Sequence, residues 1–584
     1  MDYILPICGT ANEIEDGVDS STMAGKETII ECLKVHVEKR GGAMFMTQPM
    51  GGGVVKTWTF AEAWEEATRM AAFLKAKDLP PGSSIALCSK NCAWWIMADL
   101  GIWLAGHVSV PIYPTLTADT TQFILEHSES KLLFVGKLDK HPWDEMKKGV
   151  PATMPTVSFP LCPEGDFGET WADITAKTEP LADANIADRK KEEMATIIYT
   201  SGSTGQPKGV MHSFGTMKAT SDGIIKLLKA TSRDRELSYL PLAHGMARWT
   251  DECIPFVAGG QLFFADSLAT FVEDLNRAKP TLFLSVPRLW TKFQMGVSKK
   301  MPPKKLDKLL KIPILGYFVK RKILKGLGLD SVRFAGSGSA PMPAELIAWY
   351  HRLGLELLEG YGMTEDFNYS HISRPGKSKP GTVGEPYDDV EHRIASDGEI
   401  QVKTPGLMMG YYKNPEETKN TLTEDGWLRT GDRGEIDSQN RLKITGRTKE
   451  LFKTSKGKYV APAPIENKLI VHPRVELACV GGSGYPQPHA ILQLSPDTNA
   501  EIEKSADVKA AVEAELEALL KEVNPTLDAH EHLQFVAVVK DEWLPENGFL
   551  TPTQKIVRRK IEETYDPNND AWYDSKKKVL WFGW

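Results

Sequence analysis

The sequence predicts an α/β protein with largely parallel sheets, followed by a small α+β unit at its C-terminal end. Three observations predict it: helix and strand patterns alternate from residue 59 to 111, a loop rich in glycine and hydroxyls follows a short apolar strand, and the patterning restarts after residue 446. At 584 residues the chain is too long for one compact core, so several domains or subdomains are expected.

Thr59 to Lys75 carries apolar residues at helical spacing, at Phe60, Ala63, Trp64, Ala67, Met70, Ala71 and Leu74. Ser84 to Cys88 reads as a strand, Trp94 to Ala105 as a helix and Val108 to Pro111 as the next strand, the order of βαβ units around a parallel sheet. Asp139 to Asp188, rich in proline, glycine and charge, reads as an excursion before the glycine-rich loop. Ala195 to Tyr199 is a short apolar strand, and open α/β sheets bind ligands at strand ends. After residue 446 come a short strand, a helix over Ala463 to Val471, further strands and a helix over Val508 to Val523. There is no internal repeat and no sustained heptad pattern.

Composition narrows the class. The 41% hydrophobic and 25% charged content is that of an ordinary globular protein, and a net charge of −7 without a long basic block argues against nucleic acid as the partner. The start lacks a basic region followed by an apolar stretch, and no apolar run reaches the roughly 18 residues of a spanning helix, so a cytoplasmic protein is expected. Seven scattered cysteines fit reduced thiols; Cys88 and Cys92 form the one close pair, with no second pair to complete a zinc site. Ten lysines and arginines lie between Lys299 and Lys325, interleaved with Ile312, Ile314, Leu315, Tyr317, Phe318 and Val319. That segment reads either as a solvated basic hairpin or as a peripheral contact with an anionic bilayer.

The loop after the apolar strand runs Tyr199-Thr200-Ser201-Gly202-Ser203-Thr204-Gly205-Gln206-Pro207-Lys208-Gly209. Glycines let backbone N–H groups approach phosphate oxygens, hydroxyls donate further bonds and lysine adds charge, so the loop is suited to a polyphosphate. It is not a Walker A loop, because Lys208 lies between Pro207 and Gly209. A polar surface loop is the competing reading. Further motifs follow in order: Gly336-Ser337-Gly338-Ser339-Ala340-Pro341, Glu359-Gly360-Tyr361-Gly362-Met363-Thr364-Glu365, Gly426-Trp427-Leu428-Arg429-Thr430-Gly431-Asp432, Ile444-Thr445-Gly446-Arg447-Thr448-Lys449-Glu450 and Leu550-Thr551-Pro552-Thr553-Gln554-Lys555.

Together these six segments resemble the motif series of the adenylate-forming (AMP-binding) superfamily, and most closely its long-chain fatty acyl-CoA synthetases. The resemblance spans the chain from about Trp58 to Lys560. It implies a large N-terminal domain of several subdomains, 1–446, with parallel sheets, a small β-barrel and the ATP and acyl pockets. A mobile C-terminal domain, 447–584, would pivot near Lys449 and carry the catalytic lysine. It implies ATP, Mg²⁺ and coenzyme A as cosubstrates and cofactor, and a carboxylic acid converted through an acyl adenylate to a thioester.

Residue by residue, the resemblance implies that Thr200, Ser201, Gly202, Ser203, Thr204, Gly205 and Lys208 hold the β- and γ-phosphates. Gly336, Ser337, Gly338, Ala340, Pro341, Glu359, Gly360 and Gly362 would shape the nucleotide pocket, with Tyr361 stacked on adenine. Thr364 would bond the α-phosphate, Glu365 and Thr204 would serve Mg²⁺, and Asp432 and Arg447 would hold the ribose. Lys555 would bridge the carboxylate and α-phosphate as charge moves between them. His244, with Trp249, would border the acyl channel or thiol path, against the readings of a helix-capping histidine and a packed tryptophan. Gly457 would leave room for pantetheine.

Val110 to Thr115, Ser238 to His244 and Thr454 to Glu466 resemble the long-chain branch, favouring an aliphatic acid. Lys456 and Lys458 depart from its pattern, and the segment before Gly336 is short, so short and medium acids stay in view. An acyl-AMP ligase serving a carrier protein and a non-enzymatic lipid-binding homologue are the competing functions. Oligomerisation is left open.

Overall fold

The computed structural model describes residues 23, 25–165, 167–200, 206–340, 342–551 and 554–584. An eight-stranded sheet organises the first half. Its strands run, across the sheet, Gly410–Tyr411, Lys208–Ser213, Met194–Thr200, Val108–Ile112, Ser84–Cys88, Leu133–Val135, Thr156–Ser158 and Glu169–Thr170. From Met194–Thr200 to Glu169–Thr170 all neighbours are parallel, while Lys208–Ser213 turns back antiparallel and Gly410–Tyr411 pairs antiparallel with it.

Residues 139–188, expected as an excursion, are part of this architecture instead. They supply the last two strands on one side of the sheet and the helices Lys140–Met146 and Trp171–Lys177. The strands are only three and two residues long, so they carry too little alternation to stand out in the sequence.

Local chemistry explains the helices that clamp the sheet. Phe60–Ala76 starts at Thr59, whose hydroxyl accepts from Glu62 N at 3.2 Å while Glu62 Oε2 accepts from Thr59 N at 2.8 Å, a reciprocal cap. Ala93–Leu104, apolar except for Asp99, is buried along its whole length and packs on Phe60–Ala76.

A second sheet, of Leu282–Ser285, Phe334–Ser337, Leu357–Tyr361, His371–Ile372 and Glu385–Pro386, is parallel through its first three strands and antiparallel afterwards. A third joins Arg235–Ser238, Gln261–Phe264, Met44–Gly51 and Val54–Thr59. The element expected as a small β-barrel is a four-stranded antiparallel sheet of Glu391–Ile394, Glu399–Lys403, Leu428–Ile436 and Leu442–Arg447; its outer strands do not pair with each other among the described residues.

Beyond the short turn Thr448–Glu450 a separate core assembles. Val475–Gly481, His489–Leu494, Val536–Val539 and Val579–Phe582 form a mixed sheet. The helix Ala506–Val523 buries Val512, Leu516, Leu519, Leu520 and Val523 against it, one stripe at helical spacing. Among the described residues no helix is long and apolar enough to cross a membrane. The described cysteines are all free, and Cys88 and Cys92 are buried.

Candidate active site

The hairpin of Met194–Thr200 and Lys208–Ser213 sets where the glycine-rich loop leaves and rejoins the sheet, with Thr200 opposite Lys208 and Tyr199 opposite Gly209. Ser201, Gly202, Ser203, Thr204 and Gly205 lie outside the described residues, as do Pro341, Pro552 and Thr553. Lys208 ion-pairs with Glu417, and its ammonium stands 5.3 Å from the centre of the Tyr411 ring. The Tyr411 hydroxyl donates to Glu365 Oε1 at 2.6 Å. Because Gly410–Tyr411 adds to the hairpin edge, this one tyrosine braces the loop's lysine and the carboxylate of the Thr364-Glu365 motif.

The second sheet delivers the next two motifs from one edge. Phe334–Ser337 and Leu357–Tyr361 are parallel neighbours in register Ser337 to Glu359, so Gly338 to Ala340 and Gly360 to Gly362 emerge side by side. Gly336 packs directly on Leu284, 2.1 Å from where a Cβ would stand, whereas a Cβ on Gly338 would meet the Met246 sulfur only at 3.4 Å. Gly362 makes a tight return: a Cβ there would come within 2.5 Å of the Asn368 backbone. Ser337 is buried and Ala340 is exposed.

Glu359 is buried and accepts from Met342 N at 3.0 Å, tying the two motifs together; burial lifts its pKa to about 7 against that hydrogen bond. Its carboxylate thereby joins the segment at 336–342 to that at 359–362.

The Thr364–Asp366 turn follows directly. Its Thr364 carbonyl lies 2.7 Å from His212 Nε2. Burial depresses the His212 pKa to about 4, so the ring is neutral near pH 7 and Nε2 carries the donated proton. Asp366 beside it is buried, which raises its carboxyl to about 8.

Asp432 and Arg447 face each other across the antiparallel ladder, and Arg447 Nε donates to Asp432 Oδ1 at 3.0 Å. Tyr361 donates its hydroxyl to Asp432 Oδ2 at 2.7 Å. Burial holds the Tyr361 phenol far above its ordinary value, and Asp432 adds to the effect. For Arg447 burial works against the charge, but Asp432 and Glu450 outweigh it and raise the pKa. Adenine and ribose candidates thus form one connected group.

Lys555 comes from the small domain. Its backbone closes a turn with Thr551, donating to Oγ1 at 3.1 Å and accepting from Thr551 N at 2.7 Å. The residue keeps an exposed surface, yet crowding by protein lowers its pKa; Arg447 lowers it further, opposed by Asp432, Glu365 and Glu450. The same ammonium acts on His244, whose pKa falls to about 3 through burial first and Lys555 second.

His244 Nδ1 accepts from Met246 N at 3.1 Å and caps the short helix Gly245–Arg248, while Trp249 is buried, edge-on to Tyr369 and Tyr387. The capping and packing readings of these two residues therefore describe what they do in the fold. Lys449 lies in the Thr448–Glu450 turn, next to Arg447. Gly457 sits in the exposed turn between Phe452–Lys453 and Tyr459–Val460 with φ +73°, and nothing lies within 4 Å of its missing Cβ. The turn itself calls for glycine there.

Tyr411, Glu417 and His212 were not singled out in the sequence. Tyr411 and Glu417 lie roughly two hundred residues from Lys208, in a segment with no motif of its own, and only the strand pairing at Gly410–Tyr411 brings them in.

Residues 33–412 match the family model for AMP-binding enzymes, and residues 450–577 match that for the AMP-binding enzyme C-terminal domain. The chain belongs to the AMP-binding enzyme family. It is an enzyme of the acid–thiol ligase type, most similar to long-chain acyl-CoA synthetases. It is 28% identical to the long-chain-fatty-acid–CoA ligase FadD15 of Mycobacterium bovis over 96% of this chain and 100% of that protein. It is 29% identical to the peroxisomal long chain acyl-CoA synthetase 6 of Arabidopsis thaliana, over 88% of this chain and 81% of the relative.

Solved structures share the fold. The anthranilate CoA ligase AuaEII, in complex with anthranoyl-AMP, superimposes with a TM-score of 0.75 at 21% identity, covering 93% of this chain and 98% of that one. The adenylation domain of the Mycobacterium chelonae carboxylate reductase gives 0.77 at 22% identity, covering 94% and 92%.

Proposed function

We propose that this enzyme activates an aliphatic, fatty carboxylic acid with ATP to an acyl adenylate and then transfers the acyl group to coenzyme A. The observation that carries this reading is Lys555, brought from the small domain into the field of Glu365, Asp432 and Arg447. The names of the curated relatives support a long-chain acid and CoA as substrates.

In the first half-reaction the acid's carboxylate attacks the α-phosphorus of ATP and pyrophosphate departs in line. Two anions must approach, so cations aimed at the shared oxygens do most of the work. Lys555 serves the carboxylate and α-phosphate. Lys208 exchanges Glu417 for the outer phosphates, and the Thr364 hydroxyl positions the α-phosphate. Asp432 exchanges the Tyr361 and Arg447 contacts, in whole or part, for the ribose hydroxyls.

Mg²⁺ fits Glu365: one carboxylate oxygen accepts from Tyr411, and the other would hold the cation. Such an ion would neutralise phosphate charge. In the second half-reaction the CoA thiol displaces AMP. We assign domain 1 to residues 1–446 and domain 2 to 447–584, with the pivot at Lys449 and the pantetheine passing Gly457.

The test separates the half-reactions. Lys555→Ala is expected to lower adenylate formation by at least roughly a hundredfold, the scale of losing one electrostatic stabiliser. Thioester formation from supplied acyl-AMP should be spared. If both half-reactions stay intact, the assignment fails. Measuring AMP release over acids of increasing length, with and without CoA, distinguishes a CoA ligase from an enzyme that serves a carrier protein.

A further inference from the structure

Away from the site, two consecutive helices, Pro303–Leu310 and Pro313–Gly326, pack on each other and on the core around Trp290 and Tyr350. The join is close: a Cβ on Gly316 would lie 2.8 Å from the Leu310 carbonyl oxygen, so glycine permits the contact. Leu306, Val319, Ile323 and Leu324 face inward.

The outward face of Pro313–Gly326 changes character along its length. Ile314, Tyr317, Phe318, Arg321, Lys322 and Lys325 recur at spacings of three and four, hence on one side of the helix. Its first half is apolar, with Ile314 77%, Tyr317 56% and Phe318 62% exposed, and Ile312 and Leu315 widen the patch at the same end. Its second half is basic.

The preceding helix and joining turn add Lys304, Lys305, Lys308 and Lys311. Between residues 299 and 329 there is one acidic residue, Asp307, and it faces Arg352 at 3.8 Å. Among the described residues, no lysine or arginine from Lys304 to Lys325 is in an ion pair. In a chain of net charge −7 this is a marked local segregation.

A solvated basic hairpin accounts for the lysines but leaves five large apolar side chains in water without reason. A nucleic-acid surface leaves the same residues unexplained, and an apolar protein groove leaves the uncompensated charge. An anionic bilayer answers both, since phosphates and hydrocarbon lie within one helix length of each other. We propose that this helix pair docks the protein on an anionic lipid bilayer, with residues 312–318 entering the headgroup–acyl boundary and the basic half of Pro313–Gly326 lying among the lipid phosphates.

The experiment is sedimentation of the full chain with vesicles of phosphatidylcholine alone or of phosphatidylcholine mixed with phosphatidylglycerol. It needs no turnover, so it stands or falls separately from the proposed reaction. Binding is expected to the mixed vesicles, weakly or not at all to phosphatidylcholine, and to be released by salt. Ile314→Ser with Phe318→Ser should weaken it at least roughly tenfold. Arg321→Glu with Lys322→Glu should do the same. Both variants should melt with the parent, because the replaced side chains are exposed. Failure of the parent to bind mixed vesicles, equal binding to both vesicle types, or folded variants that bind like the parent would overturn the proposal. So would binding to polyanionic nucleic acid without binding to vesicles.

Discussion

Lys208 would meet the proposed phosphates with its charge already matched by Glu417. The Glu417 pair is partly exposed and worth no more than about 1 kcal/mol. Glu417→Gln is therefore expected to lower the KM for ATP by up to roughly fivefold, and Lys208→Gln to raise it, in steady-state assays varying ATP. Asp366 sets a pH dependence. Its folded pKa of about 8 stands above the unfolded value, so its contribution to stability is full below roughly pH 4 and is lost as pH rises toward 8. Asp366→Asn keeps an acceptor for Met363 N. Thermal melting across about pH 6 to 9 should show a smaller decline for the variant than for the parent. An equal decline would count against the buried carboxyl.

The segment that follows His244 shows what patterning conveys and what it hides. Gly245–Arg248 continues through a π-helical stretch, Trp249–Cys253, and buries Arg248 completely, bonded to Asp99, Glu252, Thr196 and Ser109 between the Trp95 and Trp103 rings. Removing one partner from such a cluster strands the others without compensation. Arg248→Ala is expected to cost about 3–5 kcal/mol in urea unfolding; a loss under about 1 kcal/mol would refute the account.

Nothing in the sequence distinguishes Arg248 from a surface arginine, because three of its four partners come from distant elements, and Glu252 alone is a helical neighbour. Helices and long strands were legible because one face repeats at 3.6 or 2 residues. The Phe60–Ala76 helix, the Met194–Thr200 strand and the Ala506–Val523 helix fall within one or two residues of their predicted bounds. The two- and three-residue strands between 139 and 188 were not legible, since their placement depends on neighbours rather than on their own residues. In the site, Asp432, Arg447 and Lys555 announced themselves by motif, while Tyr411 and Glu417 became visible only once the strands were paired.

Across the whole molecule, the small domain is held against the large one by Arg288, which pairs with Glu476 and donates to Gln554 at 3.4 Å, and by Lys299 with Asp497 at 3.2 Å. Gln554 adjoins Lys555, so Arg288 ties the turn that carries the proposed catalytic lysine. Arg288→Ala is expected to slow adenylate formation by a few-fold, on the scale of a half-exposed pair, and to leave thioester formation from acyl-AMP closer to the parent rate; equal slowing of both would refute it.

The grouping around Lys555 has a thermodynamic consequence. Glu365, Asp432 and Glu450 set three formal negative charges against the one positive charge of Arg447, a balance of −2 that the arriving ammonium reduces to −1. On the proposed swing of the small domain, a polyanionic nucleotide would be repelled less with Lys555 in place than without it, and by linkage would favour that arrangement by the same factor that the arrangement favours its binding. ATP and the proposed swing would then be each other's effectors, with one lysine as the shared term.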